Sequence, residues 1–319
     1  MAVRPFDPAT ASESTLDGVY GVLVHCHTES NPEEPYRTRP EMEAFLRHPP
    51  ASDLRDHWLA EEAGGCVGFA QLLAARGATV ARAEIQVEPD ARGRGHGTAL
   101  LAALRDRAGS RGVRVLVGTH ATAAGASFAA RRGAQDAQRE VRSLLRLPLD
   151  GGLVSRPVRG YRLRSWIGAA PEPLLASYAD ARGAINDAPS PADEEPDVWD
   201  MARVRDLEAA LERRDREVRV TVATESGGQV VAFTELRVDR TPGAVARTED
   251  TAVVAEHRRR GLGRWVKLES LRRLQEERSD VELVTTGNAE ENHAMLELNR
   301  QLGFSRVAVY TNCVLELQG

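Results

Sequence analysis

Cysteine is scarce in this chain, and the cysteines form no C-x-x-C pair: Cys26, Cys66 and Cys313. Such wide spacing excludes a disulfide framework and a cysteine-based zinc site, so we expect reduced thiols that are packed inside the protein. The histidines beside the motifs described below also lack the spacing of metal ligands, and we expect each at the surface: His96, His257 and His293. The sequence therefore predicts no metal site.

Long apolar runs are also lacking. No stretch approaches the roughly 18 apolar residues of a membrane span. The opening "MAVRPFDPAT" has neither the basic start nor the apolar centre of a signal peptide, and we therefore expect a cytosolic protein without a membrane partner. The formal net charge of -5 and the lack of aromatic residues around Arg258–Arg260 indicate no nucleic-acid partner.

Lysine is almost absent. The chain has 42 lysines and arginines together, and Lys267 is the only lysine among them. We interpret this imbalance as a coding bias rather than as chemistry.

What the chain does contain is a repeat. Its 319 residues suit two domains of about 150 residues. Arg92 and Arg258 lie about half the chain apart, and similar elements surround both in the same order. In the first copy the pattern predicts a helix from about residue 95 and strands at 56–62, 66–74, 79–88 and 113–119.

The second copy repeats this order. Its predicted strands are 217–224, 228–238, 245–254 and 280–286, with one helix carrying Leu262 to Leu271 and another carrying Met295 to Leu302. The segment 148–157 reads as a linker, and 186–197 reads as a polar, proline-rich loop. We predict an α/β protein with two tandem domains, 1–149 and 150–319.

An R-x-x-G-x-G motif stands in each copy where a predicted strand meets a predicted helix. Glycine lets the backbone approach a ligand closely, and the free N–H groups at a helix start favour an anion, so each motif predicts a diphosphate-binding turn. Neither motif is a P-loop or a G-x-G-x-x-G fingerprint. The predicted contacts are Arg92, Gly93, Arg94, Gly95, His96 and Gly97 in the first turn and Arg258, Arg259, Arg260, Gly261, Leu262 and Gly263 in the second.

With these turns, the segments "TEDTAVVAEHRRRGLGRWVKLE" and "TTGNAEENHAMLELNRQLGF" resemble the GNAT superfamily of N-acetyltransferases. The two-copy layout is similar to tandem members, which include mycothiol-synthase-like proteins and relatives from antibiotic pathways. The resemblance implies two domains, each with a mixed, mostly antiparallel sheet flanked by helices, and acetyl-CoA (CoA) as the cofactor.

The same resemblance implies further cofactor contacts. Backbone groups of the strand before each turn would bind the pantetheine arm: Thr251, Ala252 and Val253 in the second copy and Ile85, Gln86 and Val87 in the first. Asn288 and Asn292 are additional candidates. For Asn288 an alternative is a capping box with Glu291.

Transfer to an amine needs a base, because an alkyl amine with a pKa of about 10.4 is almost fully protonated at pH 7. The family often has a glutamate eleven residues before the arginine of the turn, but that position is Arg247 here. Glu249 should share a strand face with Arg247 and is our first candidate, whereas Asp250 should point to the other face. The alternative is that Glu249 is a surface carboxylate paired with an arginine.

The family commonly has a tyrosine in its last helix as proton donor to the leaving thiolate, and Asn299 stands at that position. We expect Asn299 to face the cofactor cleft, where its amide could donate a hydrogen bond but no proton. The alternative is a core asparagine whose hydrogen bonds are satisfied. In the first copy Thr122 and Ala129 replace the family's asparagine and tyrosine, so we expect a degenerate first domain and a catalytic second domain.

These observations predict an acetyl-CoA-dependent N-acyltransferase that acts on a small-molecule amine, as a monomer or homodimer. A non-catalytic CoA-binding regulatory or scaffold protein is the alternative, because neither copy carries the complete acid and base pair.

Overall fold

The computed structural model describes residues 2–62, 65–191 and 196–317. Strands and helices follow one another in the same order in both copies, as the repeat predicts. The strands are β1 (Ala2–Phe6), β2 (Asp53–Glu62), β3 (Gly65–Ala75), β4 (Val80–Val87), β5 (Val115–His120), β6 (Gln135–Arg146), β7 (Tyr161–Ile167), β8 (Arg216–Glu225), β9 (Val230–Asp239), β10 (Ala246–Val253), β11 (Leu283–Ala289) and β12 (Ser305–Glu316). The helices are α1 (Glu13–Ser30), α2 (Arg39–Arg47), α3 (His96–Ser110), α4 (Ala123–Arg131), α5 (Glu172–Arg182), α6 (Met201–Arg213), α7 (Leu262–Glu277) and α8 (His293–Gln301).

Contacts divide the described residues into two compact units. Unit 1 contains 2–140, without the undescribed 63–64, together with 190–191 and 308–317. Unit 2 contains Val141–Pro189 and Pro196–Val307. The division by contact differs from a division at residue 149 because the end of β12 pairs with β5 of unit 1. The boundary between 149 and 150 concerns the copies of the repeat and stays a prediction.

Unit 1 is a mixed sheet with helices on both faces. Strands β1 to β4 pair antiparallel, β4 pairs parallel with β5, and β5 pairs antiparallel with β12. On one face Leu100 and Leu104 of α3 pack against Leu72 and Leu116. On the other face α1 and α2 bury a second cluster around Phe69. The leucine spacing of α3 is that of a helix with one apolar side, as the sequence predicts.

Unit 2 repeats this arrangement. Its strands follow the order β6-β11-β10-β9-β8-β7, in which β10 and β11 pair parallel and β7 to β10 pair antiparallel. The leucines of α7 pack on Leu236 and Val238, while Tyr178 of α5 and Leu211 of α6 pack with Phe233 on the opposite face. The predicted mixed, mostly antiparallel sheets flanked by helices are confirmed.

The last strand should stabilise unit 1 rather than unit 2. Leu315 of β12 is buried in the cluster that contains Leu100 and Leu116. Leu315→Ala should therefore lower the free energy of unfolding of unit 1 by about 2–4 kcal/mol, because it removes buried methyl groups and leaves a cavity. Urea denaturation followed by hydrogen exchange measures each unit. The exposed Glu316→Ala is the matched control, and protection lost only from unit 2 would contradict the assignment.

Candidate active site

The turn before α7 is held by its own arginines. A short 3-10 segment, Ala255–His257, follows β10, and Arg258 then folds back so that its Nε donates to the carbonyl of Val253 at 3.0 Å. Arg258 also pairs with Asp187. Arg260 donates to the carbonyl of Glu256 at 3.0 Å and to the hydroxyl of Tyr161 at 2.8 Å. These guanidinium groups therefore shape the loop that precedes the helix.

The first copy has the same construction. Arg92 Nε donates to the carbonyl of Val87 at 3.1 Å, and Arg92 pairs with Glu29 at 2.6 Å. Arg94 donates to the carbonyl of Asp90 at 2.9 Å. Because both turns use equivalent arginines in equivalent contacts, the structure supports the repeat found in the sequence.

Both turns end in a left-handed glycine. Gly95 has a φ of 92° and Gly261 has a φ of 82°, and each precedes a helix start that no described side chain caps. The first N–H groups of such a helix have no intrahelical acceptor, so they can bind an anion. Arg259 also has a positive φ of 60°, at the position where the first copy has Gly93 with a φ of 77°.

The predicted surface position of His96 is wrong. Its side chain is 2% exposed and its Nε2 lies 3.1 Å from Glu62 Oε2. The first residue of α3 points its side chain into the protein, so His96 can offer only its backbone to a ligand. His257 lies beside Tyr161, with 2.9 Å between Nδ1 and the hydroxyl, and His293 is exposed.

A gap opens between β10 and β11 beside the second turn. Their parallel pairing runs only from Ala246–Val284 to Thr248–Thr286, although β10 continues to Val253 and β11 continues to Ala289. Strands that stop pairing leave backbone N–H and C=O groups for another partner, so an extended ligand can bind along Thr251 to Val253. In the first copy β4 and β5 likewise pair only from Val80–Val115 to Arg82–Val117.

The two copies differ at a β-bulge. Thr248 pairs with Leu236 but Thr251 pairs with Thr234, so β10 has one extra residue relative to β9. The pairing of β3 with β4 runs from Gly68–Val87 to Leu73–Arg82 without such a shift. A bulge bends its strand and removes local ladder hydrogen bonds, so the second copy presents backbone groups that the regular first-copy strand does not.

The bulge consists of Glu249 and Asp250, and it corrects the predicted orientation of Asp250. Glu249 Oε1 lies 3.9 Å from Arg237, and Asp250 Oδ2 accepts from Arg182 Nη2 at 2.8 Å. Both arginines bind Glu235, so the two carboxylates point to the same side of the sheet. The expectation of opposite faces is wrong, because simple alternation fails where a strand carries an extra residue. The two side chains are 32% and 30% exposed.

A buried ion-pair cluster supports these carboxylates. Glu235 accepts from Arg182 at 2.6 Å, from Arg237 at 2.6 Å and from the hydroxyl of Tyr178 at 3.1 Å. Burial raises the pKa of Glu235, but Arg237 and Arg182 more than reverse this and hold the pKa below its ordinary value. Burial is also the largest influence on Asp250 and raises its pKa, against the opposing effect of Arg182. The sequence analysis missed this cluster, since its members come from three separate elements.

Asn299 is buried at 1% exposure and its amide is fully engaged. Lys267 Nζ donates to Asn299 Oδ1 at 2.6 Å, and Asn299 Nδ2 donates to Asn288 Oδ1 at 2.7 Å. Lys267 is 1% exposed, and burial lowers its pKa to about 7. The sequence singles this residue out as the one lysine among many arginines, but its pattern predicts no role for it.

The two candidate asparagines of the second copy have different positions. Asn288 lies in β11, so the predicted capping box with Glu291 is wrong. The cap of α8 is Asn292, whose Oδ1 accepts from the backbone N–H of Met295 at 3.2 Å. Its first-copy counterpart Thr122 caps α4 in the same way. Asn292 therefore fixes a helix start, and Asn288 is the asparagine at the gap.

Two segments of the chain match models of known protein families. Residues 53–133 match the acetyltransferase (GNAT) domain, and residues 185–304 match the acetyltransferase (GNAT) family. The chain belongs to the GNAT acetyltransferases. The predicted tandem arrangement and the enzyme class are thereby confirmed. GNAT enzymes typically use acetyl-CoA and acetylate amines.

Individual GNAT relatives match both copies together. The mycothiol acetyltransferase of Kineococcus radiotolerans is 29% identical over 269 residues, which cover 83% of each chain. A tandem GNAT protein from the clavulanic acid biosynthesis pathway is 26% identical, with a TM-score of 0.82 over 100% of this chain and 99% of the other. A GCN5-related N-acetyltransferase from Sphaerobacter thermophilus, at 16% identity, shares the fold with a TM-score of 0.72 over 100% and 96% of the two chains.

Two kinds of structure are absent from the described part of this GNAT chain. Its helices include none with the length and apolar character needed to cross a membrane. Its histidine, cysteine and acidic side chains form no group of three or more that could hold a metal ion.

Lys267 should give the stability of unit 2 a measurable pH dependence. Its pKa is about 7 in the folded protein and about 10.4 in an unfolded chain, so the unfolded state binds more protons between these values. The free energy of unfolding should therefore rise by roughly 3–5 kcal/mol from pH 7 to 10. This rise should disappear in Lys267→Met. Urea denaturation at several pH values tests it, and equal slopes in both proteins would contradict the buried, weakly basic lysine.

Proposed function

We propose that the second copy catalyses acetyl-CoA-dependent N-acetylation of a small-molecule amine. The observation that carries this proposal is the coincidence of three features in one place: the uncapped turn at Gly261, the gap between β10 and β11, and the bulge at Glu249 and Asp250. The names of two relatives support a small molecule as acceptor, since one is a mycothiol acetyltransferase and the other comes from the clavulanic acid pathway. Monomer or homodimer and a cytosolic location stay predictions.

The described residues fit CoA. The N–H groups of Gly261, Leu262 and Gly263 open the helix. Apart from the adjoining backbone, no atom of the described residues lies within 4 Å of the position that a Cβ on Gly261 would occupy, so a diphosphate can approach the backbone. The exposed Arg259 lies beside it and adds positive charge. Backbone groups of Thr251 to Val253 would bind the pantetheine arm. Acetyl-CoA supplies a thioester whose carbonyl carbon accepts a nucleophile.

The chain's own residues then have three tasks. Glu249, through a water molecule, would accept a proton from the acceptor ammonium, because only the neutral amine has a lone pair for attack. A backbone N–H in the bulge would donate to the oxygen that gains charge as the C–N bond forms. As the C–S bond breaks, the sulfur would leave with the electron pair and take a proton from solvent, and the nitrogen of the new amide would release its second proton to solvent. Asn299 holds Asn288 beside that gap but carries no proton itself.

The first copy is better suited to binding than to transfer. It has the turn and the gap, but β4 has no register shift opposite β3 where the second copy has its bulge. Glu84, which pairs with Gln71 across the strands, is the counterpart of Asp250. We therefore assign the alternative function, CoA binding without turnover, to the first copy alone.

A matched pair of variants tests which turn supports turnover. Gly261→Val should abolish CoA binding to the second copy, because valine is strained by roughly 1–2 kcal/mol at positive φ and would occupy the space in front of the helix. Gly95→Val makes the equivalent change in the first copy and should leave most turnover intact. Calorimetry with CoA and thiol release from acetyl-CoA with an amine panel measure the two effects.

Three results would contradict these assignments. Unchanged CoA affinity in a folded Gly261→Val protein would remove the assignment of this turn. Loss of turnover in a folded Gly95→Val protein would move the chemistry to the first copy. Tight CoA binding without turnover across the amine panel would favour a scaffold role for both copies.

Glu249 should control the pH dependence of turnover. Glu249→Gln should lower turnover about 10²-fold at pH 7 with little change in acetyl-CoA affinity, because it removes a base but no cofactor contact. Raising the pH toward the acceptor's own pKa should narrow the difference in turnover between Glu249→Gln and the wild type. The comparison variant is Asp250→Asn, which breaks the pair with Arg182. If Asp250→Asn shows this pH-dependent narrowing and Glu249→Gln keeps normal turnover, Asp250 is the base.

A further inference from the structure

Lys267 is a buried cation that the proposed function does not use. We propose that Lys267 is a positioning residue that acts through Asn299 to aim the side-chain N–H groups of Asn288 at the acyl thioester in the gap between β10 and β11. This inference rests on the proposed function, since it concerns the same site. It adds Lys267 of α7, which reaches the gap only through Asn299 and Asn288.

The strand register places Asn288 at the reacting end of the gap. The parallel pairing joins Ala246 with Val284 and Thr248 with Thr286. Continued by two residues on each strand, the same register sets Asn288 opposite Asp250, which lies in the bulge. A side chain at this point is close to the place where the proposed function requires the thioester. The diphosphate-binding turn lies further along the chain, at Gly261.

The ammonium group fixes the direction of the hydrogen-bond chain. An ammonium nitrogen can only donate, so Asn299 must turn Oδ1 toward Lys267, as the 2.6 Å contact shows. Asn299 must then turn Nδ2 toward Asn288, whose Oδ1 accepts at 2.7 Å. Asn288 Nδ2, with its two N–H groups, is left for a ligand. A neutral amine has a lone pair and can also accept, so deprotonated Lys267 would no longer enforce this direction.

The surroundings of Lys267 favour such a role over an ion pair. Its Nζ contacts an amide and lies 5.0 Å from the ring centre of Phe304, which also favours a cation. Charged groups on the strands packed against α7 are engaged elsewhere. On β8 Arg219 binds Glu277, and on β9 and β10 Arg237 and Asp250 belong to the cluster around Glu235. A buried cation without a carboxylate costs stability, which an apolar residue would avoid.

The first copy shows that the fold does not need the hydrogen-bond chain from Lys267 through Asn299 to Asn288. The repeat aligns Lys267 with Leu101, which is buried in an apolar cluster, and Asn299 with Ala129. Asn288 aligns with Thr119, which donates to Asn312 at 2.9 Å. The polar chain therefore occurs in the copy that has the bulge. In transfer, the acceptor nitrogen forms the C–N bond, the C–S bond breaks, and Asn288 Nδ2 would donate to the sulfur that keeps the electron pair.

The single lysine allows a direct test without turnover. In protein labelled with 13C-lysine, the ε-carbon signal reports Lys267 alone, and its pH titration should have a midpoint of about 7. Adding CoA should shift this signal, whereas ADP, which fills the turn but has no pantetheine arm, should not. The shift should vanish in Asn299→Leu. An unchanged signal with CoA bound, as judged by calorimetry, would overturn this inference and leave the proposed function standing. Absence of CoA binding would overturn both.

Kinetics separate positioning from a purely structural role. Lys267→Met should lower kcat roughly 10²-fold, the usual effect of losing one donor to developing charge, with KM for acetyl-CoA changed less than about threefold. In the wild type, kcat should also decline above pH 7 as Lys267 loses its proton, and this decline should be absent in Lys267→Met. Leu101→Met is the matched control in the first copy. Normal kcat in folded Lys267→Met would overturn the role.

A second variant keeps the test decisive if Lys267→Met does not fold. Asn288→Ala removes the final donor at a half-buried strand end and should show the same fall in kcat. The pH titration of the lysine signal should be retained in this variant. Wild-type kcat in Asn288→Ala would overturn the inference independently of Lys267.

Discussion

The early end of the pairing between β10 and β11 is the constraint on which the site depends. After Thr248 and Thr286 the strands no longer pair, and each backbone keeps hydrogen-bonding groups that water or a ligand must satisfy. The bulge lies at this point on β10, and Asn288 lies at the corresponding point on β11. The sheet therefore creates the binding gap, and the side chains only determine what happens within it.

Charge is arranged differently on the two sides of this gap. Toward α5, three carboxylates and two guanidinium groups form a connected cluster in which Glu235 is buried and Glu249 is partly exposed. Toward α7, a single ammonium group meets amides and an aromatic ring. In the proposed function, proton acceptance and hydrogen-bond donation are thus separated by the sheet, so neither group neutralises the other.

Local sequence patterns were sufficient for the turns and for the strands and helices around them, because these depend on neighbours in the chain. The leucines of α3 and α7 have helical spacing, and the glycines at 95 and 261 adopt the left-handed conformation that such turns require. The orientation of Asp250 could not be predicted, since a bulge depends on the register between β9 and β10. The partners of Asn299 and Glu235 come from distant segments, which periodicity does not bring together. His96 misled for a related reason: its hydrogen-bond partner Glu62 lies on β2, which is distant in sequence.

The buried position of Lys267 also affects what the protein surface can react with. Acetyl-CoA acetylates accessible amines without any catalyst, and an enzyme that binds it is exposed to a high local concentration of that reagent. The only lysine of this chain is 1% exposed, and the other basic side chains of the same length are guanidinium groups, which stay protonated and are poor nucleophiles. The surface therefore offers no lysine amine to compete with the acceptor.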